Sequence, residues 1–259
     1  MYLNDQTAIV TGGASGIGAA ACRTLAERGA DVVVADLSVE DGEELAESIT
    51  IEEDGDASFV ETDVSDEDAV AGMVGHAEAT FGSVDVLVNN AAVASRDADG
   101  PITEFEDEAY EFLTGVNLKG PMYACKHAIA AMLDTGDGTG AVINNASIAA
   151  LIAEPGMDIY TATKGALVSL TRSIAIEYAP EIRANTICPG IVETPMLEQA
   201  LSEEGDEDLP ATIEEMMEET PLGIADPQDI ARSIAFLASE NASFITGTTI
   251  PVDGGYTAR

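Results

Sequence analysis

The chain has 259 residues, of which 46% are hydrophobic, 48 are acidic and 10 are basic, so its net charge is −38. Such an acidic chain disfavours nucleic acid and anionic membranes as partners, and no apolar run approaches the roughly 18 residues that a membrane-spanning helix needs. Intrinsic disorder requires low hydrophobicity as well as high charge, so the composition predicts a globular protein instead.

The N-terminus and the cysteines bear on the cellular compartment. Residues 1–6 contain no basic residue and run directly into a strand-like segment, which is unlike a signal peptide. The three cysteines, Cys22, Cys125 and Cys188, are scattered without CxxC spacing, which favours reduced thiols over disulfides or a metal site. We therefore expect a cytoplasmic protein that binds no metal.

Apolar, β-branched runs alternate along the chain with amphipathic stretches. The runs predict seven strands, at Ala8–Val10, Val32–Ala35, Ser58–Glu61, Val84–Asn89, Ala141–Ala146, Ile182–Ile187 and Thr249–Val252. The stretches predict helices, at Ile17–Arg28, Val39–Glu53, Asp66–Phe81, Glu106–Met132, Ile159–Tyr178 and Pro227–Leu237. Strands joined by crossover helices pair in parallel. We predict an α/β fold: a Rossmann-type, doubly wound parallel sheet of about seven strands with helices on both faces, in a single domain over residues 1–259.

The first predicted strand ends in a glycine-rich turn, Thr11 to Gly18, that leads directly into an amphipathic helix. Glycines permit the tight turn and the close approach of backbone to a pyrophosphate, while the helix N-terminus presents unpaired N–H groups. Glycine can simply punctuate a turn, but the strand before and the helix after favour dinucleotide binding. The predicted cofactor contacts of this turn are Gly12, Ser15, Gly16, Ile17 and Gly18.

Asp36 closes the second predicted strand, 18 residues beyond Gly18, close to the offset at which an acidic side chain bonds the adenosine ribose hydroxyls. Nearly one position in five is acidic, so Asp36 alone means little. However, no arginine or lysine lies in the glycine turn or at Leu37 and Ser38 to receive a 2′-phosphate. A carboxylate would repel that phosphate, so the sequence favours NAD over NADP.

Polar segments also follow the third and fourth predicted strands, at the ligand-facing ends of the sheet. Asp63 and Val64 follow the third strand, and Asp63 could accept a hydrogen bond from the adenine amino group. Asn89 and Asn90 follow the fourth strand. They could bind a cofactor or serve as turn residues that satisfy local backbone groups, and the residues alone favour neither interpretation.

Further polar residues surround the end of the fifth strand and the start of the next helix. Ser147 follows the strand, while Tyr160 and Lys164 stand one helical turn apart, so that the ammonium can lie beside the phenol. A neighbouring cation stabilises a phenolate by about 1.4 kcal/mol per pKa unit, which would tune Tyr160 as a proton donor and acceptor. Ser147 could then hold the substrate oxygen. The pair could merely decorate a helix surface, but only three lysines occur in the chain, which disfavours an incidental one here.

Residues 198–219 break the alternation of strands and helices with an acidic run and a later helical turn at Ile213–Met217. A solvated loop and an active-site lid explain this stretch about equally well. We expect a substrate-loop insertion over about residues 194–222, and substrate specificity in this stretch and in Ala149–Met157. Several apolar side chains in these stretches suggest a substrate pocket: Leu151, Ile152, Met157, Met196 and Leu197. Packing in the core explains them equally well.

Together these motifs resemble the short-chain dehydrogenase/reductase family over essentially the whole chain. The TGxxxGxG turn is Thr11 to Gly18, the NNAG element is Asn89 to Ala92, and the serine and YxxxK elements are Ser147, Tyr160 and Lys164. Ala92 replaces the last glycine of NNAG, a departure that we expect the turn to tolerate. The resemblance implies further cofactor contacts at Leu37, Asn90, Ala91, Ala92, Tyr160, Lys164, Pro189, Gly190, Val192 and Thr194.

The resemblance also implies a fourth catalytic residue and an assembly. The asparagine that holds a water near the lysine in the family falls on Asn117. In the segment after the sixth strand, the Val192 backbone and the Thr194 hydroxyl would contact the nicotinamide carboxamide. The helices that contain Asn117 and Tyr160 would form the interfaces of a homo-oligomer, a tetramer or a dimer.

These features predict an NAD-dependent oxidoreductase that moves hydride between nicotinamide and a small alcohol or ketone substrate. A 3-oxoacyl-[acyl-carrier-protein] reductase is the alternative within the family, but such enzymes usually use NADPH and dock an acidic carrier through basic residues. A protein that senses NAD without catalysis is a third interpretation. It is disfavoured because a sensor has no need of a proton relay through Asn117, Ser147, Tyr160 and Lys164.

The charge of −38 predicts that stability depends on salt. Molar salt shortens the Debye length to about 3 Å and offsets the self-repulsion of an acidic surface, as expected for a protein of a halophile. The melting temperature should therefore rise from low to molar KCl. Equal melting temperatures at both salt concentrations would contradict this hypothesis.

Overall fold

All seven predicted strands are present, and they pair in parallel in one sheet. The computed structural model describes residues 3–95, 98–202 and 215–258. Its strands are β1 (Thr7–Thr11), β2 (Asp31–Asp36), β3 (Ala57–Glu61), β4 (Val86–Asn89), β5 (Gly140–Asn145), β6 (Ile182–Pro189) and β7 (Thr249–Val252). Their spatial order is β3-β2-β1-β4-β5-β6-β7, so the chain reverses direction across the sheet between β1 and β4. The predicted doubly wound sheet is confirmed.

Helices cover both faces of the sheet, as its apolar strands require. They are α1 (Gly16–Ala26), α2 (Val39–Glu52), α3 (Glu67–Phe81), α4 (Asp107–Thr114), α5 (Gly120–Asp134), α6 (Asp158–Glu177), α7 (Pro195–Ser202) and α8 (Pro227–Ala238). Successive strand residues point to opposite faces: Val32 and Val34 pack with α1, α2 and α8, while Val33 packs with α3, α5 and α6. All three valines are fully buried, which explains the uniformly apolar runs in the sequence.

The predicted helix over Glu106–Met132 is interrupted by a π-helical segment, Gly115–Lys119, between α4 and α5. The wider turn of a π-helix shifts the side chains that follow it around the helix axis. Asn117 lies in this segment and is buried, with its side-chain amide bonded to the backbone of Val93. Periodicity did not predict the interruption, because the partner of Asn117 comes from a distant loop.

The predicted insertion after β6 begins as a helix, α7. A helical turn at residues 215–219 overlaps the predicted turn at Ile213–Met217, of which residues 213–214 lie outside the described part of the chain. Most of the acidic run in this insertion also lies outside it, so a lid remains a prediction. Within the described ranges, no helix combines the length and the apolar character needed to cross a bilayer.

Candidate active site

The carboxyl ends of the strands open into a cleft of about 820 Å³ at the point where the strand order reverses. The sequence-predicted residues that line the cleft are Gly12, Ser15, Gly16, Ile17, Asp36, Leu37, Asp63, Val64, Asn90, Ala91, Ala92, Ser147, Tyr160, Lys164, Pro189, Gly190, Val192 and Thr194. Gly18 and Asn117 lie behind the lining residues. Elements distant in sequence thus meet in one cavity.

The glycine turn between β1 and α1 depends on the absence of side chains. Gly12 adopts a φ of +62°, a left-handed conformation that favours glycine. A Cβ atom at Gly18 would lie 1.9 Å from the Gly12 carbonyl oxygen, so Gly18 permits the turn to close without lining the cleft. Ser15 precedes α1 and makes no side-chain capping bond, which leaves the first-turn N–H groups of the helix available. This turn fits the pyrophosphate of a dinucleotide.

The cleft carries a fixed negative charge at the end of β2. Asp36 Oδ2 accepts a hydrogen bond from the Ala14 N–H at 2.9 Å, and Oδ1 accepts one from the Ser38 N–H at 3.0 Å. These bonds fix the carboxylate at the end of β2, beside the glycine turn. Lys164 is the one cation among the described residues that line the cleft. The preference for ribose hydroxyls over a 2′-phosphate remains a prediction.

The two asparagines that the sequence left open have different roles. Asn90 Nδ2 donates to the carbonyl oxygens of Thr11 at 3.0 Å and Gly12 at 2.9 Å, which ties the end of β4 to the glycine turn. Asn89 is buried and donates instead to Asn144 Oδ1 at 2.8 Å, inside the sheet. Asn90 thus supports the cofactor turn, whereas Asn89 holds β4 against β5.

Ala92, the departure from the NNAG element, lines the cleft in an ordinary backbone conformation. Among the described residues, Asp5 is the one non-glycine with a positive φ. A glycine is therefore not needed at position 92 for the backbone to make this turn.

Tyr160 and Lys164 lie in the first turns of α6 and are both buried, Lys164 to 3% exposure. Lys164 Nζ lies 5.5 Å from the centroid of the Tyr160 ring and donates to the Asn145 carbonyl oxygen at 3.1 Å. Ser147 follows β5, and its Oγ accepts a hydrogen bond from the Ala149 N–H at 3.1 Å. The three predicted catalytic side chains therefore share one end of the cleft.

Burial dominates the titration of this pair. The pKa of the Tyr160 hydroxyl is raised to about 12: removal of the ring from water is the largest cause, hydrogen bonding to Ser147 opposes it, and the nearby Glu154 carboxylate adds to it. Burial lowers the pKa of Lys164 from 10.5 to about 8. Desolvation of the phenolate is the largest cause of the shift at Tyr160, and the role of Lys164 in lowering this pKa remains a prediction.

Asn117 does not reach the cleft with its side chain. Its Oδ1 accepts a hydrogen bond from the Val93 N–H at 2.8 Å, and its Nδ2 donates to the Val93 carbonyl oxygen at 2.8 Å. Both polar ends of the amide are thus used to fix the segment after β4. The role of Asn117 in holding a water near Lys164 remains a prediction.

The segment after β6 closes over the glycine turn. A Cβ atom at Gly16 would lie 3.2 Å from Cγ2 of Thr194. The Thr194 hydroxyl donates to the Val192 carbonyl oxygen at 3.3 Å, and Val192 pairs with Ala225 as an isolated bridge. Val192 and Thr194 therefore line the cleft beside the glycine turn, and their contacts with a nicotinamide remain a prediction.

Beyond Tyr160 the lining of the cleft includes apolar side chains. Of the residues that suggested a pocket, Met157, Met196 and Leu197 line the cleft, whereas Leu151 and Ile152 are exposed and do not line it. Lining residues that sequence reasoning missed include Val93, Ala94, Phe112, Asn145, Ile148, Glu154 and Met216. No local pattern marks most of them, because each comes from a loop or from the end of a helix or strand that only the tertiary fold brings to the cleft.

Comparison with known proteins extends these observations to the whole chain. Residues 12–257 match the family model described as enoyl-(acyl carrier protein) reductase. The cis-4-hydroxycyclohexanecarboxylate dehydrogenase of Sinomonas cyclohexanicum is 40% identical over 257 residues, which cover 98% of this chain and 97% of that protein. The 3beta-hydroxysteroid dehydrogenase 2 of Eggerthella lenta is 39% identical over 258 residues, 99% of this chain and 96% of that protein. A short-chain type dehydrogenase/reductase structure from Mycobacterium ulcerans superposes with a TM-score of 0.90 at 30% identity, covering 100% of this chain and 92% of that one.

Burial of the Lys164 ammonium should lower the free energy of unfolding of the protein. Between pH 8 and 10.5 the unfolded chain binds more protons than the native protein, because the pKa of Lys164 is lowered to about 8 on folding, so stability rises with pH there. Lys164→Met should stabilise the protein by up to about 3 kcal/mol at pH 7, and by only about 1 kcal/mol at pH 10. Denaturant unfolding followed by circular dichroism measures both values.

Lys126→Met is the control, because Lys126 is exposed and paired with Glu67. This variant should change stability little and without the same dependence on pH. A destabilised Lys164→Met variant at pH 7 would show that the native contacts of the ammonium outweigh its desolvation.

Proposed function

Because the chain belongs to the short-chain dehydrogenase/reductase family and is therefore an oxidoreductase, we propose that it transfers hydride between NAD and a secondary alcohol or ketone. Membership of the family confirms the resemblance found in the sequence. The observation that carries the proposal is the position of Ser147, Tyr160 and Lys164 in the same cleft as the glycine turn. A hydroxyl-bearing carbon held at these side chains would lie beside the nicotinamide end of the cofactor.

The bound nicotinamide supplies the hydride acceptor or donor. In reduction, Tyr160 acts as general acid: its raised pKa keeps the hydroxyl protonated near neutral pH, and Oη donates this proton to the carbonyl oxygen. Ser147 Oγ holds the same oxygen against Tyr160. Lys164, which is mostly protonated at pH 7, stabilises the phenolate that remains. In oxidation, the proton passes from the alcohol to the phenolate of Tyr160.

The preference for NAD rests on charge. The Asp36 carboxylate is fixed where the adenosine ribose would lie, and no cation accompanies it among the described lining residues at that end of the cleft. A carboxylate favours ribose hydroxyls and repels a 2′-phosphate.

The substrate would be an alcohol with an apolar carbon skeleton. Apolar side chains such as Met157, Leu197 and Met216 form the wall beyond Tyr160. Two relatives, a hydroxycyclohexanecarboxylate dehydrogenase and a hydroxysteroid dehydrogenase, are named for substrates that carry a secondary alcohol on a ring. We therefore place alicyclic secondary alcohols first among the substrates to be tried.

The assembly and the setting of the enzyme are part of the same proposal. Apolar side chains are exposed on the helices that flank the π-helical segment, including Phe112 on α4 and Met122 on α5. Burial of this surface between copies would give the homo-oligomer, a tetramer or a dimer, that we expect in the cytoplasm of a halophile.

Tyr160→Phe tests the proposed reaction. Removal of the hydroxyl should reduce turnover of alicyclic alcohols with NAD in molar KCl by at least about 100-fold, because the group that exchanges the proton with the substrate oxygen is lost. Cofactor binding, measured by calorimetry, should change little. Retained turnover would contradict the role of Tyr160, and an inactive wild-type protein across the alcohol panel would contradict the proposed function.

Asp36→Ser tests the cofactor preference. Loss of the carboxylate removes both the ribose acceptor and the repulsion of a phosphate, so the ratio of kcat/KM for NAD to that for NADP should fall by at least about tenfold. A wild-type protein that prefers NADPH and reduces 3-oxoacyl thioesters would instead support an acyl-carrier-protein reductase. The acidic chain argues against that alternative, since an acidic carrier would be repelled.

A further inference from the structure

The helix that carries Tyr160 lacks a capping side chain of its own. Met157 precedes α6, and its side chain makes no capping hydrogen bond. The first N–H groups of a helix have no partners within the helix, and leaving them buried without acceptors is costly. Here those groups belong to Asp158, Ile159 and Tyr160, and the latter two residues are buried.

A carboxylate about 60 positions earlier in the chain supplies the missing cap. Asp99 Oδ1 accepts a hydrogen bond from the Ile159 N–H at 3.0 Å, and Oδ2 accepts one from the Tyr160 N–H at 2.8 Å. Oδ1 also accepts from the Gly100 N–H at 2.8 Å. Asp99 is only 8% exposed, in a chain whose other acidic residues are mostly at the surface. A carboxylate at a helix N-terminus gains both charge-assisted hydrogen bonds and the favourable helix dipole.

The contact between this loop and α6 runs in both directions. Asp158 Oδ2 accepts a hydrogen bond from the Ile102 N–H at 2.7 Å, and the Asp158 N–H donates to the Gly100 carbonyl oxygen at 3.4 Å. The same segment after β4 is held at its other end by Asn117, through Val93, which lines the cleft. Two buried polar side chains therefore fix the ends of one wall of the substrate site, and one of them binds the backbone of Tyr160 itself.

We propose that Asp99 is a positioning residue for the oxidoreduction, which holds the first turn of α6 so that the Tyr160 hydroxyl meets the substrate oxygen beside Ser147. The inference rests on the proposed function. Tyr160 is the third residue of α6, within the turn that frays first when a cap is lost. A small displacement of a proton donor lowers the rate far more than it lowers binding, because the chemistry requires near-contact geometry.

Asp99→Asn tests this role with almost no change of shape. The amide keeps one acceptor but turns an NH₂ group towards one of the two helix N–H groups, and it loses the charge. The kcat for alcohol oxidation should fall about 10- to 100-fold, while the Kd of NAD changes less than about twofold by calorimetry. Amide hydrogen exchange of the peptide covering residues 158–164 should become faster than in the wild-type protein.

Asp66→Asn is the matched control. Asp66 Oδ1 accepts from the N–H groups of Asp68 at 2.9 Å and Ala69 at 3.5 Å, the same two helical positions that Asp99 serves on α6. Asp66 caps α3 and does not line the cleft, so its variant should keep kcat within about twofold of the wild-type value. Asp158→Asn, which weakens the same contact from the helix side, should act in the direction of Asp99→Asn but by less, and it serves if Asp99→Asn fails to fold.

An equal loss of kcat in the Asp99 and Asp66 variants would overturn the positioning role, as would an unchanged kcat despite faster exchange in residues 158–164. A loss confined to the Kd of NAD would overturn it as well. If the wild-type protein oxidises no alcohol, the proposed function itself fails, which is a distinct result because it needs no Asp99 variant.

Discussion

Parallel pairing of β1, β4 and β5 in register is the constraint on which the rest of the site depends. Val10 pairs with Val88, and Asn89 pairs with Asn144, so the three strands end at one level. The glycine turn, Asn90 and Ser147 follow these three strands and therefore emerge side by side. Asn145 Nδ2 donates to Asn90 Oδ1 at 2.9 Å, which links the end of β5 to the segment that holds the glycine turn.

Buried polar side chains maintain this alignment where apolar packing could not. Packing of valines fixes which face of a strand is buried, but a set of similar side chains tolerates small shifts along the strand. Asn144 Nδ2 donates to Thr171 Oγ1 at 2.7 Å, and the Thr186 hydroxyl donates to the same Thr171 oxygen at 2.7 Å. One hydrogen-bond network therefore joins β5, β6 and α6. Directional bonds of this kind specify a single register for the strands and for the helix that carries Tyr160.

The few cations of the chain are used inside the fold as well as on its surface. Lys164 is buried against Tyr160, and Arg183 is partly buried at the end of α8, where it donates to the carbonyl oxygens of Leu237 at 2.7 Å and Ala238 at 3.0 Å. Arg183 thus completes the C-terminus of a helix. Lys164, in contrast, lowers the stability of the fold near neutral pH, because its burial lowers its pKa. Such a cost is consistent with the proposed role of Lys164 in the reaction, since residues that serve chemistry often lower stability.

The sequence by itself determined the sheet and the glycine turn, because local patterns encode both. Resemblance to the family, rather than a local pattern, indicated other lining residues such as Val192 and Thr194. Apolar runs are long enough to mark strands, and the i,i+4 spacing of Tyr160 and Lys164 places both on one helix face. Only the tertiary structure decided the residues that act across the fold. Asp99 meets α6, and Asn117 meets Val93, through contacts that no spacing encodes. The pKa of Tyr160 also depends on the tertiary structure, since the desolvation that raises it comes from all the residues packed around the ring.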